Sequence, residues 1–410
     1  MLSFLAILFL LTAISGFINL KWLHLPMTIG IMLVALSFSL LLSILAYYSV
    51  PFSKPFFTTL ILERVDYSQL LLKGILAFLL FAGSLHVDLK ELWNVRFSVA
   101  FLAIGGTIIS VLFLAIVFWG LFFAFGCSLS LIWCFVLASI LAPTDPVSVL
   151  NMLGRLKLSN RIQAIFAGES LFNDGVAVVL FTTFLEIATS NMTGHDGKDI
   201  LFLFIKDIFG SGLLGFATAW ITIKIMNYID NDEVIILFTL ALATGTFALA
   251  DAIHLSGPIS VVVSGLMIGD HIQNCQSKKY IHSTHIFWYL IDEILNTMLF
   301  LIIGLEIMVI PFHLSSFLIA LCSIPLLILS RTLAVLLSGF SLLYRDNNPK
   351  GLISILTWGG LRGGISLAMA LSLPVLYPKD EILIITYLIV IFTIFVQGLT
   401  MERVIRYFYS

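Results

Sequence analysis

Charge is the scarcest commodity in this 410-residue chain. Asp, Glu, Lys and Arg together make up 11% of it, against about 25% in an average soluble domain. That is too little polar surface to coat a water-exposed globule, so a soluble fold is excluded. The formal net charge is −2 and no basic run occurs, which excludes nucleic acid as a partner. The four cysteines (Cys127, Cys134, Cys275 and Cys322) have neither paired nor metal-type spacing and read as small apolar fillers. Nothing implies a cofactor. Linkers and low-complexity tracts are missing too, so residues 1–410 form one membrane domain. What the chain has in excess is apolar residues, 60% of the total, where soluble domains hold about 45–50%.

Runs long enough to cross a bilayer, about 17–25 residues each, number thirteen: 2–20, 27–48, 69–87, 97–125, 130–152, 162–187, 200–226, 233–251, 256–270, 284–308, 314–343, 352–377 and 382–402. The expected fold is an all-α polytopic membrane protein with about thirteen transmembrane helices. The first run has no basic residue ahead of it and no small-residue cleavage pattern, so it reads as a retained span rather than a signal peptide. An odd number of spans puts the termini on opposite sides. Thirteen of the Lys and Arg residues fall on one side and six on the other, with Arg331 and Arg362 left for the interior. The positive-inside rule then places the N-terminus outside the cell membrane and the C-terminus in the cytoplasm.

The sixth run is apolar except near its middle, where Glu169, Ser170, Asn173 and Asp174 fall within six positions. Each ionisable carboxyl at that depth costs at least ~2.5 kcal/mol. Helical spacing puts Ser170 and Asp174 on one face and Glu169 and Asn173 on the next. A hydroxyl beside a carboxylate begins a site for a hard cation, while the second carboxylate needs a partner of its own.

Two other runs are interrupted. The fifth contains Ala142-Pro143-Thr144-Asp145-Pro146, and two prolines three apart should open the helix. That frees backbone carbonyls, Thr144's among them, and exposes Asp145. The twelfth contains Gly359-Gly360-Leu361-Arg362-Gly363-Gly364, where glycines around an arginine again suggest an unwound stretch. Breaks in corresponding positions of two halves point to a transporter's binding site. A faint echo of Leu80-Phe81-Ala82-Gly83 in Leu299-Phe300 and Gly304, seven spans apart, agrees with inverted repeats. The fifth and twelfth spans are then two discontinuous crossing helices. Asp145 can offset the positive ends of the half-helices and Arg362 the negative ends.

Arg331 in the eleventh run needs an acid, and Glu169 is the acid without an obvious task. We expect them to pair, with Arg362 the second choice. Asp145, Glu169 and Asp174 against Arg331 and Arg362 sum to −1, so one proton or one monovalent cation neutralises the set. Two other classes stay open. A cation channel needs a continuous wet pore, and one acid cluster between two broken helices favours a carrier instead. An intramembrane enzyme could use Ser170 as nucleophile, or a metal at His282 and His285, although neither has ligand-type or catalytic neighbours in sequence.

Thr144-Asp145-Pro146, Glu169 to Gly175 and Gly359 to Gly364 together resemble the motifs of the monovalent cation:proton antiporters, in the branch of the bacterial NhaP-type antiporters and animal sodium/hydrogen exchangers. The resemblance runs from the second span to the thirteenth. It implies exchange of a monovalent cation, first Na+ and next Li+ or K+, for H+ by alternating access. It also implies a homodimer, a mobile core of about 97–187 and 314–402, and a dimerisation scaffold of about 1–96 and 200–308. The implied ligands are the Thr144 backbone carbonyl, Asp145, Ser170 and Asp174, with Glu169 reached through water. Asn173-Asp174 matches the pair found in the electroneutral branch. The chain ends a few residues after the last run, so no cytoplasmic regulatory domain is expected.

Overall fold

The computed structural model describes residues 2–47, 74–145, 147–156, 158–189, 197–274, 278–306, 313–339, 348–374 and 378–409. Pro146 therefore lies outside the described residues, as does the side chain of His282. The described secondary structure is entirely helical. In chain order the helices are α1 (Leu2–Ile18), α2 (Met27–Tyr47), α3 (Leu76–Leu85), α4 (Leu89–Asn94), α5 (Arg96–Ala124), α6 (Leu131–Ile140), α7 (Val147–Arg155) and α8 (Asn160–Thr189). They continue as α9 (Gly197–Met226), α10 (Asp232–Ala252), α11 (Gly257–Asn274), α12 (Lys278–Glu306), α13 (Leu314–Ser338), α14 (Pro349–Trp358), α15 (Gly364–Leu371) and α16 (Lys379–Tyr409). By length and composition, nine helical segments among the described residues can cross a membrane. This is a multi-pass membrane protein.

Several helix starts are fixed by side chains that accept the otherwise orphaned first N–H groups. Asp88 accepts from the backbone of Lys90 and Glu91 ahead of α4, at 2.9 and 3.3 Å. Asn231 does the same for Val234 in α10, and Asn348 for Gly351 in α14, where Pro349 sits in the first turn. Arg96 and Lys224 lie over the rings of Trp93 and Trp220, pairings typical of the membrane interface.

Three buried apolar clusters hold the helices together. One gathers Phe81, Ile165, Phe166, Val261, Trp288 and Ile355, and a second gathers Leu114, Phe118, Leu137, Phe181 and Ile385. The third joins α2, α12, α15 and α16 through Ile31, Met32, Ile303, Leu367 and Tyr387. Helix α8 serves the first cluster with its early turns and the second with Ala177 and Phe181. Its polar residues fall where one cluster gives way to the other.

Lipid is as apolar as a core, so helix association in a membrane relies on close packing through small residues. At Gly304 in α12 an added Cβ would stand 2.5 Å from Ala35 Cβ and 2.8 Å from the Met32 carbonyl oxygen of α2. Replacing Gly304 with alanine should therefore part α12 from α2, at a cost of about 1–3 kcal/mol. Gly212, with nothing within 4 Å of an added Cβ, is the matched control. Gly304→Ala is expected to lower the melting temperature in detergent, and Gly212→Ala to leave it unchanged or slightly raised.

Candidate cation site

Helix α6 stops at Ile140, and residues 142–145 are not helical before α7 resumes the path at Val147. Helix α14 stops at Trp358, and residues 360–363 are extended or irregular before α15 begins at Gly364. The two gaps face each other. The backbone N–H of Asp145 donates to the Leu361 carbonyl at 2.8 Å. Arg362 Nη1 donates to the Pro143 carbonyl at 2.9 Å and also to that of Ala142. The guanidinium thus caps the carbonyl end of α6, where helix-dipole charge is negative. The Arg362 backbone N–H goes to Thr393 Oγ1 at 3.1 Å, in a π-helical turn of α16 (Thr393–Gly398).

The glycines of the second gap act by their size. Positive φ among described glycines occurs only at Gly126. A Cβ on Gly363 would stand 2.9 Å from Asp145 Cβ, and one on Gly360 would stand 3.0 Å from Arg331 Nε. Gly359 and Gly364 press in the same way on Phe166 and Leu299.

Helix α8 supplies the rest. Glu169 is fully buried and takes a bidentate ion pair from Arg331 of α13, with both N–O distances 2.7 Å. Arg331 Nε is in turn spent on the Leu356 carbonyl at 3.1 Å. Arg331, rather than Arg362, is the partner of Glu169. Asn173 donates to Glu169 Oε1 at 3.1 Å and to Thr144 Oγ1 at 2.9 Å. Thr144 Oγ1 and Ser170 Oγ lie 3.1 Å apart and share a hydrogen bond. Asn173 so ties the Glu169 face of α8 to the break after α6.

Asp174 is only 2% exposed. Its carboxyl accepts the backbone N–H of Thr144, but its Oδ1 has no hydrogen-bond partner. Beside it is a cavity of about 60 Å³, bordered by Pro143, Thr144, Asp145, Asp174, Gly363 and Gly364 together with Leu79 and Leu299. A space of that size holds a small cation with a few waters. Among the expected ligands, Thr144, Asp145 and Asp174 border the cavity. Ser170 stands behind Thr144, and Glu169 is turned to Arg331.

Two further polar residues at the cavity, Asp292 and Asn296 of α12, escaped the sequence reading. An acid and an amide four apart inside an apolar run were the available signal. His285, a metal candidate by sequence, stacks on His86 with ring centroids 5.4 Å apart.

Among the described residues, a wholly helical membrane protein whose two interrupted helices meet over buried carboxylates has the fold and site expected of an ion carrier. A family model described as "Sodium/hydrogen exchanger, transmembrane" matches residues 6–407, and the chain belongs to that family. It is 36% identical to the Na(+)/H(+) antiporter NhaP of Pseudomonas aeruginosa, over 100% of this chain and 97% of that one. It is 32% identical to the Na(+)/H(+) antiporter NhaH of Halobacillus dabanensis, over 81% of each. In fold it matches the sodium proton antiporter MjNhaP1 from Methanocaldococcus jannaschii with a TM-score of 0.77 and 18% identity, covering 99% of this chain and 98% of that one.

Breaking a buried ion pair from one side costs about 3–5 kcal/mol because the other charge is stranded. Glu169→Gln strands Arg331 and should lower the melting temperature in detergent. Adding Arg331→Gln should restore part of the loss. Equal stability of Glu169→Gln and the unsubstituted protein would show that the pair is not what holds α8 against α13.

Proposed function

We propose that this chain exchanges Na+ for H+ across the cell membrane, one for one, by alternating access, with Asp174 as the group for which cation and proton compete. The observation that carries this reading is the buried Asp174, which lines a cavity between two broken helices and whose Oδ1 has no donor. A buried carboxylate left without partners is costly, and a proton or a cation is what can relieve it. Thr144 through its carbonyl, Asp145 and Ser170 complete the cation's oxygen ligands, and Glu169 is reached through water. Na+ is the first cation, with Li+ and K+ using the same hard oxygen chemistry.

The mobile core comprises about 97–187 and 314–402, and the dimerisation scaffold of a homodimer about 1–96 and 200–308. The core charges Asp145, Glu169, Asp174, Arg331 and Arg362 sum to −1. Loaded with either a proton or a monovalent cation, the core is neutral and can pass the occluded midpoint. Empty, it carries a charge into a low-dielectric setting and is held back. That asymmetry couples the fluxes. Positive charge moves equally both ways, so the membrane potential does no net work. The N-terminus stands outside and the C-terminus in the cytoplasm, on the Lys and Arg distribution.

Two outcomes check this reading in proteoliposomes. Asp174→Asn should reduce Na+-driven proton movement to background while the purified protein keeps its melting temperature and oligomeric state; retained exchange would move the titrating group elsewhere. In the unsubstituted protein, activity against pH should be bell-shaped. Where one proton competes, apparent Na+ affinity should fall about tenfold per pH unit, so raising Na+ should shift the low-pH limb to lower pH. A limb that stays fixed as Na+ is varied would rule out competition at one site.

A further inference from the structure

Three aspartates border the cavity. Asp292, Asn296 and Leu299 follow one another at intervals of four and three along α12, which sets them on one helix face, and all three line the cavity with Asp145 and Asp174. Asn296 is 4% exposed, and its amide donates to Asp292 Oδ1 at 3.1 Å. That bond fixes the carboxylate and leaves its second oxygen without a protein donor among the described residues. No Lys or Arg pairs with Asp292 there either. The two arginines of the interior are engaged elsewhere, Arg331 with Glu169 and Leu356, and Arg362 with the carbonyls of Ala142 and Pro143. Asp174, 2% exposed, lines the same cavity, and its Oδ1 also lacks a donor.

We propose that Asp292, oriented by Asn296, is a further ligand of the transported cation, contributed by a helix outside the stretches that hold Asp145 and Asp174. The inference rests on the exchange reading above. A monovalent cation takes hard oxygen ligands, and a carboxylate already held by a neighbouring amide contributes one with little ordering cost. Asp292 belongs to the 200–308 stretch and the other ligands to the core. Its contact with the cation is therefore made while the cavity stands against α12 and given up when the core moves away. Asp292 thus sets the affinity of one access state and leaves the core's own charge unchanged.

The test uses the full chain in liposomes, with Na+ as the probe, and the same purified protein in detergent. Asp292→Asn should raise the apparent KM for Na+ about tenfold, roughly a 1.4 kcal/mol loss of binding, while the maximal rate stays close to that of the unsubstituted protein. Asp292→Glu should recover part of the affinity. Asn296→Ala, which frees the carboxylate without removing it, should raise KM by a smaller factor. A structural role predicts a different pattern, a lower melting temperature with KM unmoved, and that result overturns the proposal. If Asp292→Asn does not survive purification, Asn296→Ala decides, and an unchanged KM there overturns the proposal equally. The Na+ concentration that half-protects the protein against heat is a second readout, independent of transport. An unsubstituted protein that moves no protons in response to Na+ sinks the exchange reading alone. A half-protecting Na+ concentration that rises in Asp292→Asn then still supports the ligand, and one that does not rise overturns it.

Discussion

Breaking a helix inside a membrane frees backbone groups that no water reaches, and each one left unpaired costs roughly 2–7 kcal/mol. This chain breaks two helices and lets each repair the other. The carbonyls of Ala142 and Pro143, released where α6 stops, take the Arg362 guanidinium. The carbonyl of Leu361, released where α14 stops, takes the Asp145 N–H. The Arg362 N–H is met by Thr393. Neither break is affordable alone, so the two must stay in register, and Asp145 is thereby held against Gly363 at the cavity. Gly363 has no side chain because the repair leaves no room for one.

The carboxylates of α8 divide into a satisfied one and an unsatisfied one. Glu169 takes two donors from Arg331 and a third from Asn173, which is close to saturation for a carboxylate. Asp174, five residues on, keeps an oxygen with no donor in an equally buried place. The environment, not the residue type, separates a strut from a group with capacity to bind. Asn173 joins the two roles. Its amide nitrogen donates to both Glu169 and Thr144, so the strut also steadies the wall of the cavity.

Much of this could be read in the sequence because charge in lipid is so constrained. Arg331 had to find an acid, and Glu169 was the acid without a task; the bidentate pair follows from that scarcity. The interruption of the fifth run followed from its prolines, and the facing of Ser170 and Asp174 from helical periodicity. What stayed hidden depends on contacts between distant segments. Asp292 stands next to Glu293 within an otherwise ordinary run, and only the fold carries it to the cavity that Asp145, Asp174 and Gly363 also line. The glycines of the twelfth run suggested unwinding through conformational freedom, whereas they serve close approach to Asp145, Arg331, Phe166 and Leu299. Thr393 gave no signal at all, since its role comes from a widened turn in α16.

A third aspartate at the cavity looks at first like a difficulty for one-for-one exchange, because it takes the local charge from −1 to −2 when ionised. The difficulty dissolves once charges are sorted by the element that carries them. The membrane potential acts only on charge that moves, at about 2.3 kcal/mol per charge per 100 mV. On the proposed division into core and scaffold, Asp145, Glu169, Asp174, Arg331 and Arg362 travel together, and Asp292 stays with α12. A fixed carboxylate alters how tightly the cation is held in one position of the core without entering the charge that crosses. Affinity on one side of the cycle and neutrality of the moving core are then set by different residues. Each can change without disturbing the other.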